Sequence, residues 1–594
     1  MGMNVSEYVW HRLQEWGIRR VFGYPGDGVG GLDVALEKAE GLEYVQVRHE
    51  EMAAFMAAGH AKFTGEVGLC YATSGPGAIH LLNGLYDARM DHVPVVAIVG
   101  QQARSALGSS YQQEVDLQSL FKDVAGEFVA TASVASQVRH LVDRAVRIAS
   151  SRRTVTCVIL PNDVQLLDYE EPPMAHGSTH TGVGYALPAG QPSAELLQRA
   201  AAVLNAGEKV AMLVGAGAWG ATDEVIAVAD QLQAGAAKAL LGKAVLPDDL
   251  PWVTGCIGLL GTEPSWDLMQ HCDTLLMVGS AFPYSEFLPK PGQARGVQID
   301  IDPGNLSLRY PMEVNLAGDS AATLRALLPL LKPKAGKWRD AIQAKVAKWW
   351  NLLDERAMQP AEPINPQRVF WELSKRLPEG CIFTGDAGTV ANWYARDIRM
   401  RRGMMGSLSG GLASLGSATP YALAAKMAHP NRVVIAFIGD GAMQMNGLNV
   451  MITIAKYWRQ WADPRLVVMV LNNRDLSQVT WEERVQMGEG KTESTQAIPD
   501  FPYHRYAELL GLKGMRVEDP EQLGAAWDEA LAADRPVILD CVTDPNVPPL
   551  PPHISAKDAR NFLSMARSEP ELSGVLLNTA RQLLSKVLPG HRQG

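Results

Sequence analysis

The chain has 594 residues, enough for three or four domains at about 150 residues each. Lys and Arg number 54 against 64 Asp and Glu, and the resulting charge of −10 argues against a nucleic-acid partner. With 47% hydrophobic and 20% charged residues, the composition is typical of a folded globular protein and excludes disorder as the main state. The six cysteines show no ligand-like spacing, so we expect reduced, buried thiols in a cytoplasmic protein.

The N-terminal segment predicts an amphipathic helix rather than a signal sequence, because no basic stretch precedes an apolar one. The longest charge-free runs, at about 68–86 and 406–425, are rich in Gly, Ser and Pro. A membrane-spanning helix needs about 20 apolar residues, so we predict that no segment crosses a membrane.

Three stretches alternate short apolar, β-branched runs with Ala- and Leu-rich segments, which is typical of doubly wound parallel α/β domains. Gly- or Pro-rich linkers separate them at about 168–192 and 355–366. The predicted strands lie at 44–49, 67–73, 93–100, 155–161, 210–220, 274–284, 296–303, 381–389, 433–441, 465–473 and 536–542. We therefore predict α/β domains over 1–167, 193–354 and 367–548, followed by a helical tail over 549–594.

The most specific motif lies in the third domain, where Gly439, Asp440 and Gly441 follow one strand and Asn472 and Asn473 end the next. Carboxylate and carboxamide oxygens beside a Gly turn and a helix start suit Mg²⁺ bound to a diphosphate. An isolated Gly-Asp-Gly is also an ordinary turn. The combination with the second strand and its Asn pair favours the metal site.

This pairing resembles the metal and diphosphate motif of the thiamine diphosphate enzymes, and RHEE at 48–51 supports the resemblance. The resemblance implies that Glu50 hydrogen-bonds N1′ of the cofactor's aminopyrimidine, which requires a carboxyl group in apolar surroundings. A solvated charge at a helix N-terminus is the competing interpretation of Glu50.

The resemblance covers about residues 1–555 and, within the family, is greatest to the flavin-containing bacterial pyruvate oxidases. It implies active-site roles for Gln113 and Phe121 and a wedge role for Leu415 under the bent cofactor; core packing is the alternative for Leu415. The implied metal ligands are Asp440, Asn473 and Asp475, the last through its backbone carbonyl. The implied thiamine diphosphate contacts are Pro25, Gly26, Glu50, Ala413, Ser414, Leu415, Asp440, Gly441, Ala442 and Asn473.

By the same resemblance, the first domain of one subunit and the third domain of another form the site, so we expect a homodimer or homotetramer. Glu50 and Asp440 would then meet only across subunits. The segment between the two third-domain strands is longer than in the family, and we interpret residues 456–465 as a surface insertion.

The central domain contains GAGAWG at 215–220, which alone is weak support for NAD. Three other segments resemble the FAD-contacting loops of pyruvate oxidase: IGLLG at 257–261, GSAFPY at 279–284 and QIDID at 298–302. Asp300 stands at a strand end where an acidic residue can bind ribose. The implied FAD contacts are Ile257, Gly258, Leu259, Leu260, Ser280, Ala281, Phe282, Pro283, Tyr284 and Asp300. A domain without ligand, or a flavin without redox role as in acetolactate synthases, is the alternative.

Val479 and Glu482 stand where pyruvate oxidases tend to carry Val and Glu, whereas synthases tend to carry Trp in place of Glu482. Trp481 is one position away, so a register shift would restore the synthase interpretation. We predict oxidative decarboxylation of pyruvate or a similar 2-keto acid to acetate or acetyl phosphate, with Glu50, Gln113, Phe121, Val479 and Glu482 as catalytic residues. The alternatives are an acetolactate synthase-type carboligase, a non-oxidative decarboxylase, or a lapsed relative with a structural role.

The tail has six basic residues, including Lys586 and Arg592, against three acidic ones. Its apolar residues at helical spacing are Leu572, Leu576, Ala580, Leu583 and Val587. We expect this stripe either to contact the inner face of an anionic membrane, peripherally, or to pack on the oligomer.

Overall fold

The computed structural model describes residues 2–186 and 190–587. These residues form three six-stranded sheets, and every strand pair within them is parallel. Helices flank each sheet, so the prediction of three doubly wound α/β domains with a helical C-terminal region is confirmed. The six cysteines are free and buried, as expected.

The first sheet has the order β2-β1-β3-β4-β6-β5. Its strands are β1 (Arg20–Gly23), β2 (Glu43–Gln46), β3 (Gly68–Ala72), β4 (Val95–Gln101), β5 (Val129–Thr131) and β6 (Val155–Pro161). The helices are α1 (Val5–Glu15), α2 (Gly30–Glu37), α3 (Glu50–Thr64), α4 (Pro76–His80), α5 (Leu82–Met90), α6 (Leu117–Phe121), α7 (Val138–Arg152) and α8 (Asn162–Gln165).

The central sheet has the order β12-β11-β10-β7-β8-β9. Its strands are β7 (Val210–Val214), β8 (Gly235–Lys238), β9 (Val253–Cys256), β10 (Thr274–Val278), β11 (Arg295–Asp300) and β12 (Val314–Ala317). The helices are α9 (Ala194–Ala206), α10 (Thr222–Leu232), α11 (Glu263–His271), α12 (Ser320–Leu327) and α13 (Lys337–Ala357).

The third sheet has the order β14-β13-β15-β16-β18-β17. Its strands are β13 (Ile382–Gly385), β14 (Met405–Ser407), β15 (Val434–Gly439), β16 (Leu466–Asn472), β17 (Lys513–Val517) and β18 (Val537–Val542). The helices are α14 (Pro366–Ser374), α15 (Thr389–Asp397), α16 (Ala418–Ala428), α17 (Asp440–Ala442), α18 (Leu448–Tyr457), α19 (Ser477–Glu482), α20 (Glu493–Gln496), α21 (Tyr503–Leu509) and α22 (Leu523–Leu531). The tail adds α23 (Ala556–Ser564) and α24 (Leu572–Val587).

The first and third domains share one hydrophobic core through α3 and α16. Helix α3 is Ala-rich and apolar around most of its circumference, the pattern of a helix buried on all sides. At Gly59 a Cβ atom would lie 3.1 Å from the Tyr421 Cα and 3.2 Å from the Ala424 Cβ. Small residues therefore allow the two helices to approach closely.

A buried polar cluster accompanies this core. Lys62 of α3 forms an ion pair with Asp91, its Nζ 2.6 Å from Oδ2, and lies 4.5 Å from the centre of the Tyr421 ring. The Tyr421 hydroxyl donates to Asp87, and Lys62 Nζ also donates to the Leu408 carbonyl at 2.7 Å. The cluster therefore joins α3 and α5 of the first domain to the segment before α16.

That segment, residues 408–418, contains the predicted wedge and is held by two carboxylates. Asp91 accepts from the backbone N–H groups of Gly410 at 3.0 Å and Gly411 at 2.6 Å. The fully buried Asp386 accepts from Gly416 at 2.9 Å and from Ala418 at 3.0 Å. Both ends of the loop are thereby fixed, one end by a residue of the first domain.

Helix α24 turns its polar side toward the body of the chain. Asn578 donates to Asp544 at 2.9 Å and Gln582 to the Arg356 carbonyl at 3.3 Å. Leu576 and Leu583 of the predicted stripe are 41% and 40% exposed, whereas Leu572 packs against the cluster formed by Trp481, Met565 and Val575. The described part of the stripe is therefore only partly packed on its own chain. Arg592 lies outside the described residues, as do the side chains of Lys586 and Val587.

Membrane spanning is excluded for every helix in residues 2–186 and 190–587, since each is too short or too polar to cross a bilayer. The expectation of a surface insertion at 456–465 is only partly right. Tyr457 and Trp461 are buried in the shared core, and the Tyr457 hydroxyl accepts from the Gln46 N–H at 2.9 Å. The insertion therefore supports the edge strand β2.

The Asp91→Asn substitution tests whether the first domain holds this loop. It replaces one of the two carboxylate oxygens that accept from Gly410 and Gly411, and it removes the charge that pairs with the buried Lys62 ammonium. A buried donor that loses its partner costs free energy. We expect amide hydrogen exchange at residues 408–416 to accelerate roughly 5- to 150-fold, corresponding to about 1–3 kcal/mol. The exposed Asp223, paired with Arg402, provides the control Asp223→Asn. Unchanged exchange in the Asp91 variant would contradict the role.

Candidate functional site

Asp440 follows β15 directly and is buried at the carboxyl edge of the third sheet. Its Oδ1 accepts from the Gly441 N–H at 2.9 Å, and its Oδ2 accepts from Asn473 at 3.0 Å and Arg474 at 2.5 Å. Burial nevertheless raises the pKa of Asp440 to about 7, and the nearby Asp475 adds to the shift. A cation at this place would offset both the burial of the Asp440 charge and its repulsion by Asp475.

Asn473 and Asp475 lie at the end of the neighbouring strand β16. The Asn473 Oδ1 accepts from the Asp475 N–H at 3.1 Å, and its Nδ2 donates to the Ser477 hydroxyl at 2.9 Å. The buried Asp475 carboxylate accepts from Thr480 at 3.0 Å, while its Oδ2 has no hydrogen-bond partner. The Asp475 Oδ1 also lies 3.5 Å from the Lys491 Nζ. The buried Asp440 carboxylate, the Asn473 carboxamide oxygen and the unpartnered Oδ2 of Asp475 are oxygen donors that fit a hard divalent cation such as Mg²⁺.

Glu50 begins α3 in the first domain, where the carboxyl ends of β1 and β3 meet. Glu50 is only 8% exposed, so the interpretation of its carboxylate as a solvated charge is wrong. The Oε2 atom lies 2.9 Å from the His80 Nδ1, and a Cβ at Gly77 would lie 3.2 Å from Oε1. Glu50 is therefore enclosed by a glycine and an imidazole rather than by apolar side chains alone.

The other first-domain candidates differ in their surroundings. Gly26 lies against Thr73, because a Cβ atom added at Gly26 would lie 2.6 Å from the Thr73 Cβ. Pro25 is exposed. The Gln113 Oε1 accepts from the Ser74 hydroxyl at 3.3 Å. Phe121 is fully buried in the core, so within this chain it does not face a cleft.

Backbone strain coincides with three candidate segments. Gln113, Ala413 and Arg474 have φ angles of 62°, 53° and 57°. Non-glycine residues in this region cost about 1–3 kcal/mol and occur often at functional sites. Gln113 thus lies beside Ser74, Ala413 lies within the wedge loop, and Arg474 lies between Asn473 and Asp475 after β16.

The wedge loop is also tied to the residue after Glu50. Leu415 is half-buried against the shared core. The Ser414 hydroxyl accepts from Asn83 Nδ2 at 2.9 Å, and Asn83 donates to Glu51 at 2.6 Å. Glu51 also accepts from Asn446 Nδ2 at 3.1 Å. Within one chain, Glu51 therefore connects the first domain with the third.

Trp481 and Glu482 are neighbours in helix α19 but have different surroundings. The Trp481 indole is buried, donates to the Pro545 carbonyl at 3.0 Å and contacts Met565 of the tail. Glu482 accepts from Gln478 Nε2 at 2.9 Å, and Gln478 in turn accepts from Asn392 of α15. Val479 is 44% exposed. Trp481 thus packs against the tail, whereas Glu482 is connected through Gln478 to α15.

The central sheet brings the flavin candidates to its carboxyl edge. A Cβ at Gly258, after β9, would lie 3.1 Å from the Phe282 ring, which belongs to the segment after β10. Ile257, Ser280 and Phe282 are buried, Leu260 and Ala281 are half-buried, and Leu259, Pro283 and Tyr284 are exposed. Asp300 ends β11 and accepts from the Asp302 N–H at 2.9 Å; burial raises its pKa.

In the same sheet, the GAGAWG segment packs its Gly217 against Gly279, where an added Cβ would lie 2.8 Å from the Gly279 Cα. This close approach of two backbone segments requires glycine at position 217, whether or not a dinucleotide binds.

Four residues that support the site were missed by sequence reasoning. His80 contacts Glu50, and Asp91 and Asp386 hold the wedge loop. The buried Arg396 of α15 donates to the carbonyls of Leu259, at 2.9 Å, and Gly261, at 3.0 Å. Only the GD pair at 385–386 carried a usable signal, since it repeats the Gly-Asp pattern of 439–440.

Comparison with known proteins gives the same division into three parts. The family model "Thiamine pyrophosphate enzyme, N-terminal TPP binding domain" matches residues 3–120. The central domain model of that family matches residues 197–327, and its C-terminal TPP binding domain model matches 386–541. Thiamine pyrophosphate is another name for thiamine diphosphate.

Three relatives cover most of the chain. A putative thiamine pyrophosphate-containing protein from Bacillus subtilis is 34% identical over 552 residues, 93% of each chain. The Escherichia coli acetolactate synthase isozyme 2 large subunit is 31% identical, over 95% of this chain and 100% of its own. The pyruvate oxidase of Lactiplantibacillus plantarum is 28% identical, over 89% of this chain and 87% of its own. With these similarities and matches in all three domains, the chain belongs to the thiamine pyrophosphate enzyme family.

Proposed function

We propose that this protein is a thiamine diphosphate- and FAD-dependent enzyme that oxidatively decarboxylates pyruvate or a similar 2-keto acid. The reaction would release carbon dioxide from the keto acid with FAD as the two-electron acceptor, and water or phosphate would take up the acetyl group to give acetate or acetyl phosphate. The similarity to a pyruvate oxidase supports the reaction class. The choice of oxidase over synthase rests on α19.

The position of Trp481 is the observation that carries this choice. Its indole is held beneath the tail by the Pro545 carbonyl and by Met565, so a register shift that exchanges it with Glu482 would break buried contacts. Arg484, one turn away, forms a fully buried ion pair with Glu569 and fixes the register further. This packing supports a structural role for Trp481 and leaves Glu482 as the candidate for the position in which pyruvate oxidases tend to carry Glu.

The residues of the third domain would hold the metal and the diphosphate. Asp440 and Asn473 supply side-chain oxygens, with Asp475 as the third ligand, and the N–H groups at Gly441 and Ala442 begin a helix that suits phosphate. Mg²⁺ would neutralise the diphosphate at an edge where burial already raises the pKa of Asp440. Ala413, Ser414 and Leu415 would support the cofactor from the wedge loop.

Thiamine diphosphate, when bound, supplies an electron sink for the charge released with carbon dioxide. Glu50 would hold a proton at N1′ of the pyrimidine, and His80 orients its carboxyl group from 2.9 Å. Pro25, Gly26 and Gln113 would line the pyrimidine side. Val479 and Glu482 would border the substrate; for Phe121, its full burial limits any role in this chain to shaping the domain.

FAD, when bound, supplies the acceptor for two electrons. Its proposed contacts are the residues gathered at the carboxyl edge of the central sheet, where open α/β sheets bind ligands. The buried Arg396 ties the 257–261 loop to α15 of the third domain. This link supports a flavin placed close to the thiamine site.

Two further elements of the proposal follow from the family. We propose a homodimer or homotetramer in which Glu50 of one subunit and Asp440 of another form one active site. In agreement with this, it is Glu51 rather than Glu50 that bonds to Asn446 of the third domain within the chain. We propose a cytoplasmic location. Peripheral membrane contact through the exposed leucines of α24 remains a prediction.

An acetolactate synthase-type carboligase is the second candidate, favoured by the 31% identity with the Escherichia coli synthase. In that case, or in a non-oxidative decarboxylase, a bound flavin would have no redox role. A lapsed, purely structural relative is disfavoured because Glu50, Asp440 and Asn473 are all present in enclosed positions.

The Glu50→Gln substitution tests the proton-holding role. An amide cannot share a proton as a carboxyl group does, so we expect turnover of pyruvate to fall at least ~100-fold. The oligomer seen by size-exclusion chromatography should be unchanged. Glu37→Gln, at an exposed position of α2, is the matched control. Wild-type activity in the Glu50 variant would refute the role.

An anaerobic absorbance spectrum separates the oxidase from the synthase. The protein is supplied with FAD, thiamine diphosphate and Mg²⁺, and the flavin band is recorded before and after pyruvate is added. An oxidase bleaches the band within the time of turnover, because the two electrons have no other acceptor. Pyruvate consumption with an oxidised flavin would instead support the carboligase or decarboxylase.

A further inference from the structure

Two histidines stand beside the buried Glu50. One ring nitrogen each of His49 and His80 and one carboxylate oxygen of Glu50 all lie within 4.8 Å of one another. The closest pair is His80 Nδ1 and Glu50 Oε2 at 2.9 Å, and the two imidazole rings are stacked with centroids 4.4 Å apart. This cluster is distinct in ligand type from the oxygen-rich edge at Asp440.

We infer that His49, Glu50 and His80 form a binding site for Zn²⁺ or a similar transition metal when the thiamine site is empty. Two imidazole nitrogens and one carboxylate are a common zinc ligand set, and water completes the tetrahedron. Ligand atoms on such an ion lie about 3.4 Å apart, given bonds of about 2.0–2.2 Å. The His80–Glu50 pair is 2.9 Å apart and no pair is more than 4.8 Å apart. The side chains of His49 and His80 are 37% and 43% exposed, which leaves them room to rotate toward a shared ion.

Ligand chemistry separates this site from the proposed magnesium site. Mg²⁺ takes oxygen ligands and keeps waters, whereas Zn²⁺ prefers imidazole nitrogen. The carboxylate and carboxamide oxygens at Asp440 and Asn473 suit the former; the histidine pair suits the latter. Excess Mg²⁺ would therefore fill the Asp440 edge and leave the histidine cluster for zinc.

The consequence is regulatory, and it rests on the proposed role of Glu50. A carboxylate that ligates Zn²⁺ cannot at the same time hold a proton at N1′ of the pyrimidine. Zinc and thiamine diphosphate would then exclude each other, and zinc would inhibit most strongly when the cofactor is limiting. The chain would thus be protected by bound cofactor and exposed to inhibition in its apo form.

Calorimetric titration of the cofactor-free protein with ZnCl₂, in a large excess of Mg²⁺, tests the site directly. We expect one Zn²⁺ per chain, and at least ~10-fold weaker binding in His49→Gln and in His80→Gln. His11→Gln, at a half-exposed position of α1, is the control that should bind as the wild type does. Co²⁺ as a probe should give visible absorption bands that both site variants lose.

Thiamine diphosphate added to the zinc-loaded protein should release the metal, detected with a zinc-binding dye. Failure of the wild type to bind Zn²⁺, or equal affinity in all three histidine variants, would overturn the metal site without touching the proposed activity. Histidine-dependent binding that the cofactor does not displace would overturn the mutual exclusion. That second result, with cofactor binding intact, would also place the pyrimidine away from Glu50.

Discussion

The ion pair between Lys62 and Asp91, two residues of the first domain, is the constraint that ties the wedge loop of the third domain to the first. It lies at the edge of a shared apolar core, where Lys62 also lies against the ring of Tyr421. Because both charges are largely buried, neither can lose its partner cheaply. Asp91 uses its remaining capacity on the backbone of the wedge loop. The position of Leu415 is therefore set by both domains together.

The same principle operates at the other end of the loop and at the metal edge. Asp386 and Asp440 each accept several backbone N–H groups, yet burial raises both pKa values to about 7. The Asp386 carboxylate fixes a loop by accepting from its N–H groups, whereas the N–H groups that donate to Asp440 orient its carboxylate beside Asn473 and Asp475. The two carboxylates differ in their neighbours, because Asp440 lies beside the carboxyl group of Asp475 and the carboxamide oxygen of Asn473.

Sequence reasoning recovered the fold because buried parallel strands are short, continuous apolar runs, such as Val434–Gly439 and Leu466–Asn472. It also recovered the motifs that follow strands, where the chain order itself brings residues to one sheet edge. It missed His80 and Asp91, because their roles depend on contacts between separate elements. It predicted the apolar stripe of α24, but periodicity does not show which of its residues pack on the chain: Leu572 does, whereas Leu576 and Leu583 are exposed.

The central domain adds a link that local patterns do not reveal. Arg396 reaches from α15 into the loop at 259–261, so the flavin-type edge and the third domain are joined by a buried side chain. The packing of Trp481 against Pro545 and Met565 is a second link of this kind, between α19 and the C-terminal region.

Calorimetric titration of the wild-type apo protein with thiamine diphosphate, with and without Mg²⁺, tests the central claim most directly. The account predicts one cofactor per chain in the presence of Mg²⁺ and a large loss of affinity when EDTA replaces it, because Asp440 and Asn473 act through the metal. Absent binding, or binding that is indifferent to Mg²⁺, would contradict the assignment of the third-domain edge.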